Sequence, residues 1–376
     1  MSVQRRETKT GTRWDVRLRD PSGRVYNRTF ATKREAQAYE RSERTARDRG
    51  DWVDPHAGRQ TVGEWVDYWW TLHAPNLAPK TRAQYESTLN RWVLPALGTR
   101  RLSSLTPLDL QELVNDWART AKPSTVHLRF AVLRTALLAA VTGEVLGRSP
   151  CRGIRLPKRE QRRRSLPDIA DLERLAAAMG TNYSAMVWLG ALLGMRWGEV
   201  AGLRVGAVDL LRRQLIVGET VGEAKGVLHI GAPKTAAGRR LLPLPAVVCD
   251  VLAEHMRAEG LTGANGDEWV FRSPRGGPLR YSMWHLRVWI PAREAIGSPA
   301  LGFHDLRRFY ASQLVEAGVD VKVSQELMGH EDIRLTRGLY AQAGDDLKQR
   351  ANDDVAARLL RPRDKRAMTV DSEDGG

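Results

Sequence analysis

The chain has 376 residues, with 59 Lys and Arg against 44 Asp and Glu, a formal charge of +15 at pH 7. Apolar residues make up 42%, enough to bury real cores and too many for a disordered basic tail, and the length fits two or three domains. The longest apolar stretch, Ala185 to Met195, is broken by glycines and well short of the ~18 residues of a membrane span, the start of the chain lacks a signal peptide's apolar core, and two distant cysteines, Cys151 and Cys249, exclude a disulfide framework and fit a reducing cytoplasm.

So basic a chain calls for a polyanionic partner, and nucleic acid leads. An anionic membrane is the weaker choice, because no basic amphipathic helix lies beside a greasy anchor. Residues 1–34 hold ten Lys or Arg and three acids. Within them Trp14, Val16 and Leu18 alternate with Arg13, Asp15, Arg17 and Arg19, which predicts a strand with one apolar and one basic face. Pro21-Ser22-Gly23 is a turn signal, and Val25 to Phe30, carrying Arg28, reads as a second strand. Thr32-Lys33-Arg34-Glu35 is a capping-box pattern opening a helix to about Arg47. A basic ribbon in such a ββα module has the width to enter a major groove. A small sheet with merely solvated arginines is the alternative.

Residues 50–60 read as a linker. Helical spacing then begins: Val62, Trp65, Val66, Trp69 and Trp70; Pro79 through Tyr85, Leu89 and Trp92; Leu110, Leu113, Val114 and Trp117; Val126, Phe130, Leu133, Leu137 and Leu138. A four-helix domain over 61–148 is expected, with its tryptophans in the core rather than serving as base-stacking platforms. A second linker follows to about Ser165. Its last fifteen residues carry Arg152, Arg155, Lys158, Arg159, Arg162, Arg163 and Arg164 against Glu160, charge that could track a phosphate backbone or simply be solvated.

From about residue 165 a mixed unit is expected to 362. Helices are predicted at Asp168–Met179, Tyr183–Leu193, Trp284–Ala295, Leu306–Ala317, Lys322–Met328 and Asp345–Leu360, and short strands at 214–217, 227–230 and 239–242. Residues 363–376 read as a disordered polar tail. The fold class is thus multidomain and mainly α with small β elements. No P-loop, HExxH or GxSxG motif is present. What remains is a set of polar groups in order. Arg196 and Glu199 follow an apolar helix, and Lys234 sits in a turn between two strands. His304 and Arg307 lie three apart on one helix face. Gly329-His330 ends a helix, and Tyr340 comes ten residues later.

The ordered set Arg196, Lys234, His304-x-x-Arg307, Gly329-His330 and Tyr340 resembles the tyrosine recombinases, the phage integrase family. The resemblance extends over the chain. Residues 61–148 look like the family's SAM-like core-binding domain and residues 165–362 like its catalytic domain. Residues 1–50 look like the arm-binding module of many integrases, which implies a third strand that the pattern does not place. A His often found two residues after the nucleophile is Gln342 here.

The chemistry fits an anionic phosphodiester. Arg196 and Arg307 suit its non-bridging oxygens, because a guanidinium meets phosphate bidentately and keeps its charge. Tyr340 is the candidate nucleophile, and His304 its base. Lys234 resembles the family's general acid, and His330 would donate a hydrogen bond to the phosphate. Glu199 and Asp305 are assigned to structure. Neither metal nor cofactor is expected. The resemblance implies double-stranded DNA at core and arm sites, a tetramer on DNA, a host DNA-bending protein and an excision factor, in a bacterial cytoplasm at the nucleoid. DNA contacts are expected from Arg13, Arg17, Arg19 and Arg28 and from the linker's Arg159, Arg162 and Arg163. Leu347, Ala351, Val355 and Leu359 make an apolar stripe that either packs within the chain or, as the resemblance implies, docks on a neighbouring protomer. Two alternatives stay open: a chromosome-dimer resolvase, which resembles only the two C-terminal units, and a DNA-binding regulator with a relic site.

Overall fold

The computed structural model describes residues 2–8, 11–19, 25–48, 60–159, 166–233, 235–329 and 331–332. Two compact units divide the chain, Met1–Arg162 and Arg163–Gly376. The predicted helix at 345–360 and the tail at 363–376 lie outside the described residues.

The chain begins with three antiparallel strands, β1 (Ser2–Thr8), β2 (Gly11–Arg19) and β3 (Val25–Phe30), in the order β1-β2-β3, followed by helix α1 (Lys33–Asp48). The third strand that the pattern could not place is β1. Its sequence, SVQRRET, has a single apolar residue, Val3, because it is an edge strand with mostly exposed side chains. Val16 and Leu18 of β2 and Ala36 of α1 form a small core with Val3, Trp14, Phe30 and Tyr39 packed around it.

The register separates the arginines. Arg13 pairs with Arg6 and Arg17 with Ser2 and Asn27, both on the sheet's outer face, and the Arg19 backbone pairs with Val25. Arg28 pairs with Val16 and so lies on the opposite face, toward α1. Its guanidinium stands 4.6 Å from the ring of Tyr39 and 5.6 Å from that of Phe30. Arg28 is therefore no part of the basic outer face expected of it. Strand alternation decided this, since Arg28 is two residues from Phe30 and shares its side.

The helical part of this unit comprises α2 (Val62–His73), α3 (Pro79–Thr88), α4 (Leu94–Leu97), α5 (Pro107–Thr120) and α6 (Pro123–Thr142). A π-helical turn, Leu89–Val93, joins α3 to α4. Capping boxes start two of the helices. The Thr61 hydroxyl accepts from the Glu64 N–H, and Glu64 accepts back from Thr61; Thr106 and Asp109 repeat the pattern. Trp65, Trp69 and Trp117 are buried with Leu110, Phe130, Leu133 and Leu137. Trp92 departs from the expected core. The wide turn keeps Leu89 and Val93 inward and leaves Trp92 outside, 38% exposed, with the Arg129 guanidinium 3.4 Å from its ring centre. By length and composition α6 is apolar enough to cross a bilayer, although Arg129 and Arg134 interrupt its apolar run. Eight of its residues are buried, including Arg129, so it serves as the core helix of this unit.

The second unit opens with α7 (Ile169–Met179), α8 (Ser184–Leu192) and α9 (Trp197–Ala201). Strands β4 (Val208–Asp209), β5 (Gln214–Val217), β6 (Thr220–Ala224), β7 (Val227–Gly231) and β8 (Arg240–Pro243) follow. The helices α10 (Ala246–Ala258), α11 (Tyr281–Trp284), α12 (Ile290–Ala295), α13 (Phe303–Glu316) and α14 (Val321–Met328) complete it. The three predicted strands are present but belong to two sheets: β4-β5-β8, and the hairpin β6-β7. The sequence pattern did not mark β6, because Val221 is its one buried apolar side chain. Helices α9 and α10 are also additional to the expected elements. Buried α8, through Ala185, Met186, Val187 and Leu189, packs between α7 and α13, and the three larger of these buried side chains contribute roughly 1.5–3 kcal/mol each. This packing fixes the end of α8 against the middle of α13, where the charged residues meet.

Candidate active site

After α8 the chain turns sharply at Gly194, whose φ is +63°. A Cβ there would lie 2.5 Å from Cδ1 of Tyr310, so only glycine fits both the backbone and the space. The turn delivers Arg196 to the start of α9. Glu199, one turn on, is 2% exposed and accepts from the Arg196 backbone N–H at 2.9 Å and from Arg196 Nη1 at 2.7 Å. From β8, Arg240 approaches the same carboxylate, with Nη2 3.0 Å from Oε2 and Nη1 3.3 Å from Oε1.

Three arginines then hold three consecutive carbonyls at the C-terminal end of α14. Arg240 Nε donates to Leu327 O at 2.9 Å, Arg307 Nη2 to Met328 O, and Arg196 Nη2 to Gly329 O at 3.3 Å. Arg307 Nη1 also donates to Gly194 O at 2.6 Å. Carbonyls at a helix end lack intrahelical partners and carry partial negative charge, so cations suit this place. Gly329 closes the helix in the left-handed region, with φ +59°. A Cβ there would meet Arg240 Nη1 at 2.8 Å, so the backbone just before His330 lies directly on that guanidinium.

Two guanidiniums, those of Arg196 and Arg240, thus share the Glu199 carboxylate, and that of Arg307 lies within its field. Burial, then the nearby charge of Arg196, pulls the pKa of Arg307 down to about 9, with Glu199 opposing. Burial pushes the Glu199 carboxyl up, but Arg240 and Arg196 outweigh it and hold it below the usual value. Access differs among the three. Arg196 has 42% of its side chain exposed, Arg240 7%, and Arg307 is 1% exposed as a residue. Each terminal nitrogen of Arg307 still carries a second proton, so its fork keeps donors for an anion.

His304 lies on the first turn of α13, exposed, one turn before Arg307. The surrounding protein, then Arg307 and Arg308, hold its imidazole below the ordinary histidine value, so it is neutral and can accept a proton at pH 7. Asp305 is a helix-end group, as expected. It accepts from the Gly302 N–H at 2.8 Å and from Arg308 at 3.0 Å.

The structure therefore brings Arg196 and Arg307 together, with His304 one turn away. Lys234, His330 and Tyr340 lie outside the described residues, as do Arg162 and Arg163 of the linker; Arg159 is exposed. Sequence reasoning missed Arg240. Its signal was available: Arg240 and Leu242 are two apart on a strand, so an arginine on the core side needs a buried partner. Among the described residues no group of three His, Cys, Asp or Glu could hold a metal ion.

Residues 168–346 match the model of the phage integrase family, and residues 61–118 match that of the phage integrase N-terminal SAM-like domain. A tyrosine recombinase XerC of Pseudomonas syringae pv. tomato is 30% identical over 278 residues, covering 69% of this chain and 85% of the relative. A putative prophage phiRv2 integrase of Mycobacterium tuberculosis is 27% identical over 336 residues, covering 85% of this chain and 86% of the relative. An integrase of Streptomyces ambofaciens is 24% identical over 363 residues, covering 90% and 94%. The fold is shared with the Tn1549 transposon integrase in complex with a circular intermediate DNA, with a TM-score of 0.68 at 18% identity over 79% of this chain and all of that one. It is shared also with a lambda integrase tetramer bound to a Holliday junction, with a TM-score of 0.54 at 18% identity over 87% and 95%. The chain belongs to the phage integrase family of tyrosine recombinases.

Proposed function

We propose that this chain is the integrase of a temperate phage or mobile element, cutting and rejoining DNA through a 3′-phosphotyrosyl intermediate. The observation that carries the reading is the cationic excess around Glu199, where Arg196, Arg240 and Arg307 face one carboxylate. Such a cluster is built to receive an anion.

Arg196 and Arg307 neutralise the non-bridging oxygens of the scissile phosphate as charge builds in the pentacoordinate transition state. At pH 7 only about one free phenol in a thousand is ionised, so Tyr340 needs a base. Neutral His304 takes its proton. The Tyr340 oxygen then bonds to phosphorus as the bond to the 5′-oxygen breaks, and Lys234 protonates that leaving oxygen. His330 donates to the phosphate. The reverse step, attack by another strand's 5′-hydroxyl, rejoins DNA with the bond energy kept.

Residues 61–148 and 165–362 act on the core site, the linker arginines Arg159, Arg162 and Arg163 follow the backbone, and residues 1–50 bind arm sites. A tetramer on DNA, a host bending protein and an excision factor complete the assembly. The three-stranded N-terminal module with its helix α1, which is similar to an arm-binding domain, favours an integrase over a resolvase, which resembles only the two C-terminal units. Deleting residues 1–50 separates the two: an integrase loses integration and keeps core binding, whereas a resolvase keeps full activity.

Covalent capture on labelled, nicked DNA from the gene's own flanks tests the chemistry. Wild type should give a shifted band on a denaturing gel and Tyr340→Phe none, with equal DNA binding. Binding without any covalent band in wild type would make the chain a DNA-binding regulator.

A further inference from the structure

The scheme above gives Arg240 no task, yet Arg240 is the most heavily bonded of the three arginines. Its Nε holds Leu327 O, Nη1 holds Gly238 O at 3.2 Å, and the fork spans both oxygens of Glu199. We propose that Arg240 is a positioning residue for the strand-cleavage reaction, fixing the Glu199 carboxylate and thereby aiming the exposed guanidinium of Arg196 at the phosphate. The proposal rests on the recombinase reading.

Three features of the geometry support it. Each Glu199 oxygen is shared between the two arginines: Oε1 takes Arg196 Nη1 and Arg240 Nη1, while Oε2 takes the Arg196 backbone N–H and Arg240 Nη2. The carboxylate therefore cannot turn without breaking bonds to Arg240, and its orientation sets that of Arg196. The remaining bond of Arg196, to Gly329 O, is long at 3.3 Å and fixes the side chain weakly. A partly exposed ion pair standing alone holds little orientation. Charge gives the third argument. Glu199 opposite Arg196 alone would cancel the charge the phosphate needs, whereas Arg240 satisfies the carboxylate and leaves the trio net positive. Lysine could not replace it, because a point charge cannot span two carboxylate oxygens and a carbonyl together.

The test compares Arg240→Met, Arg240→Lys, Arg196→Ala and the double variant Arg196→Ala/Arg240→Met in the full chain. The first readout is single-turnover cleavage on core DNA, with DNA affinity and thermal midpoint measured alongside. Arg240→Met should cleave about 100-fold more slowly, the size of effect seen when one oriented donor is lost from a transition state. Its DNA affinity should stay within about threefold, and Arg240→Lys should recover only part of the rate. In the Arg196→Ala background, Arg240→Met should add no further loss. Multiplying losses, or a wild-type rate in Arg240→Met, would overturn the proposal. The second readout needs no cleavage: the Nε–Hε NMR signal of Arg196, identified by its absence in Arg196→Lys. It should be ordered in wild type and motionally averaged in Arg240→Met. Equal mobility in both overturns the positioning role even if wild type forms no covalent adduct, an outcome that would count separately against the recombinase reading.

Discussion

Arg307 donates to the carbonyl of Gly194 at 2.6 Å, joining the middle of α13 to the turn that delivers Arg196. The same guanidinium caps α14 through Met328 O. One side chain therefore ties α13 both to the next helix and to a turn 113 positions earlier in the sequence.

Truncating Arg307 should cost stability as well as activity. Arg307→Ala leaves two buried carbonyls without donors, at about 1–3 kcal/mol each. Relief of its repulsion with Arg196 and Arg240 offsets part of that. A net loss of about 3 kcal/mol in urea unfolding is expected, with Arg307→Lys intermediate. A loss under about 0.5 kcal/mol, the level of a neutral surface change, would show that the guanidinium braces nothing.

Stability should fall in acid with a recognisable contribution from Glu199. Its carboxyl is held below the ordinary value in the folded chain, so the unfolded chain takes up the proton first as pH drops. The stabilisation is complete above the usual glutamate value of about 4.3 and is lost as pH falls through the lower folded value. His304 has the same sign: its imidazole is held below about 6.5, so its contribution is complete above that pH and fades below it. Urea midpoints from pH 3 to 8 should give a flatter acid limb for Glu199→Gln than for wild type. Parallel curves would mean that Glu199 is not the group being protonated.

The two faces of the N-terminal sheet should respond differently to mutation. Arg13 and Arg17 lie on the outer face, and replacing either with Ala should weaken DNA binding and lower the salt slope by about 0.9 for a lost phosphate contact. Arg28 stacks on Tyr39 instead. Arg28→Met should leave the slope alone and destabilise this module by about 0.5–1 kcal/mol, the worth of an exposed cation–π contact. A slope change for Arg28→Met equal to that for Arg13→Ala would place both on the DNA.

Much of this protein is written locally. The spacing of Val62, Trp65, Val66 and Trp69 and the Thr61–Glu64 cap specify α2, and the alternation of Trp14, Val16 and Leu18 specifies β2, because periodicity follows directly from helix and strand geometry. The motif residues also named the family, because few sequences carry five such groups in order. The sequence pattern gave no sign of β1 and β6, whose apolar residues are too few to show a period and which form because a neighbouring strand offers its hydrogen bonds.

Only the tertiary structure decided what each arginine does. Composition counts Arg28 with Arg13 and Arg17, and the pairing of Val16 with Arg28 separates them. Motif spacing selects Arg196 and Arg307 but passes over Arg240, whose partners Glu199 and Leu327 lie 41 and 87 positions away. A charge acquires its role from whatever it meets once water is excluded, and that depends on long-range packing, which no local pattern contains.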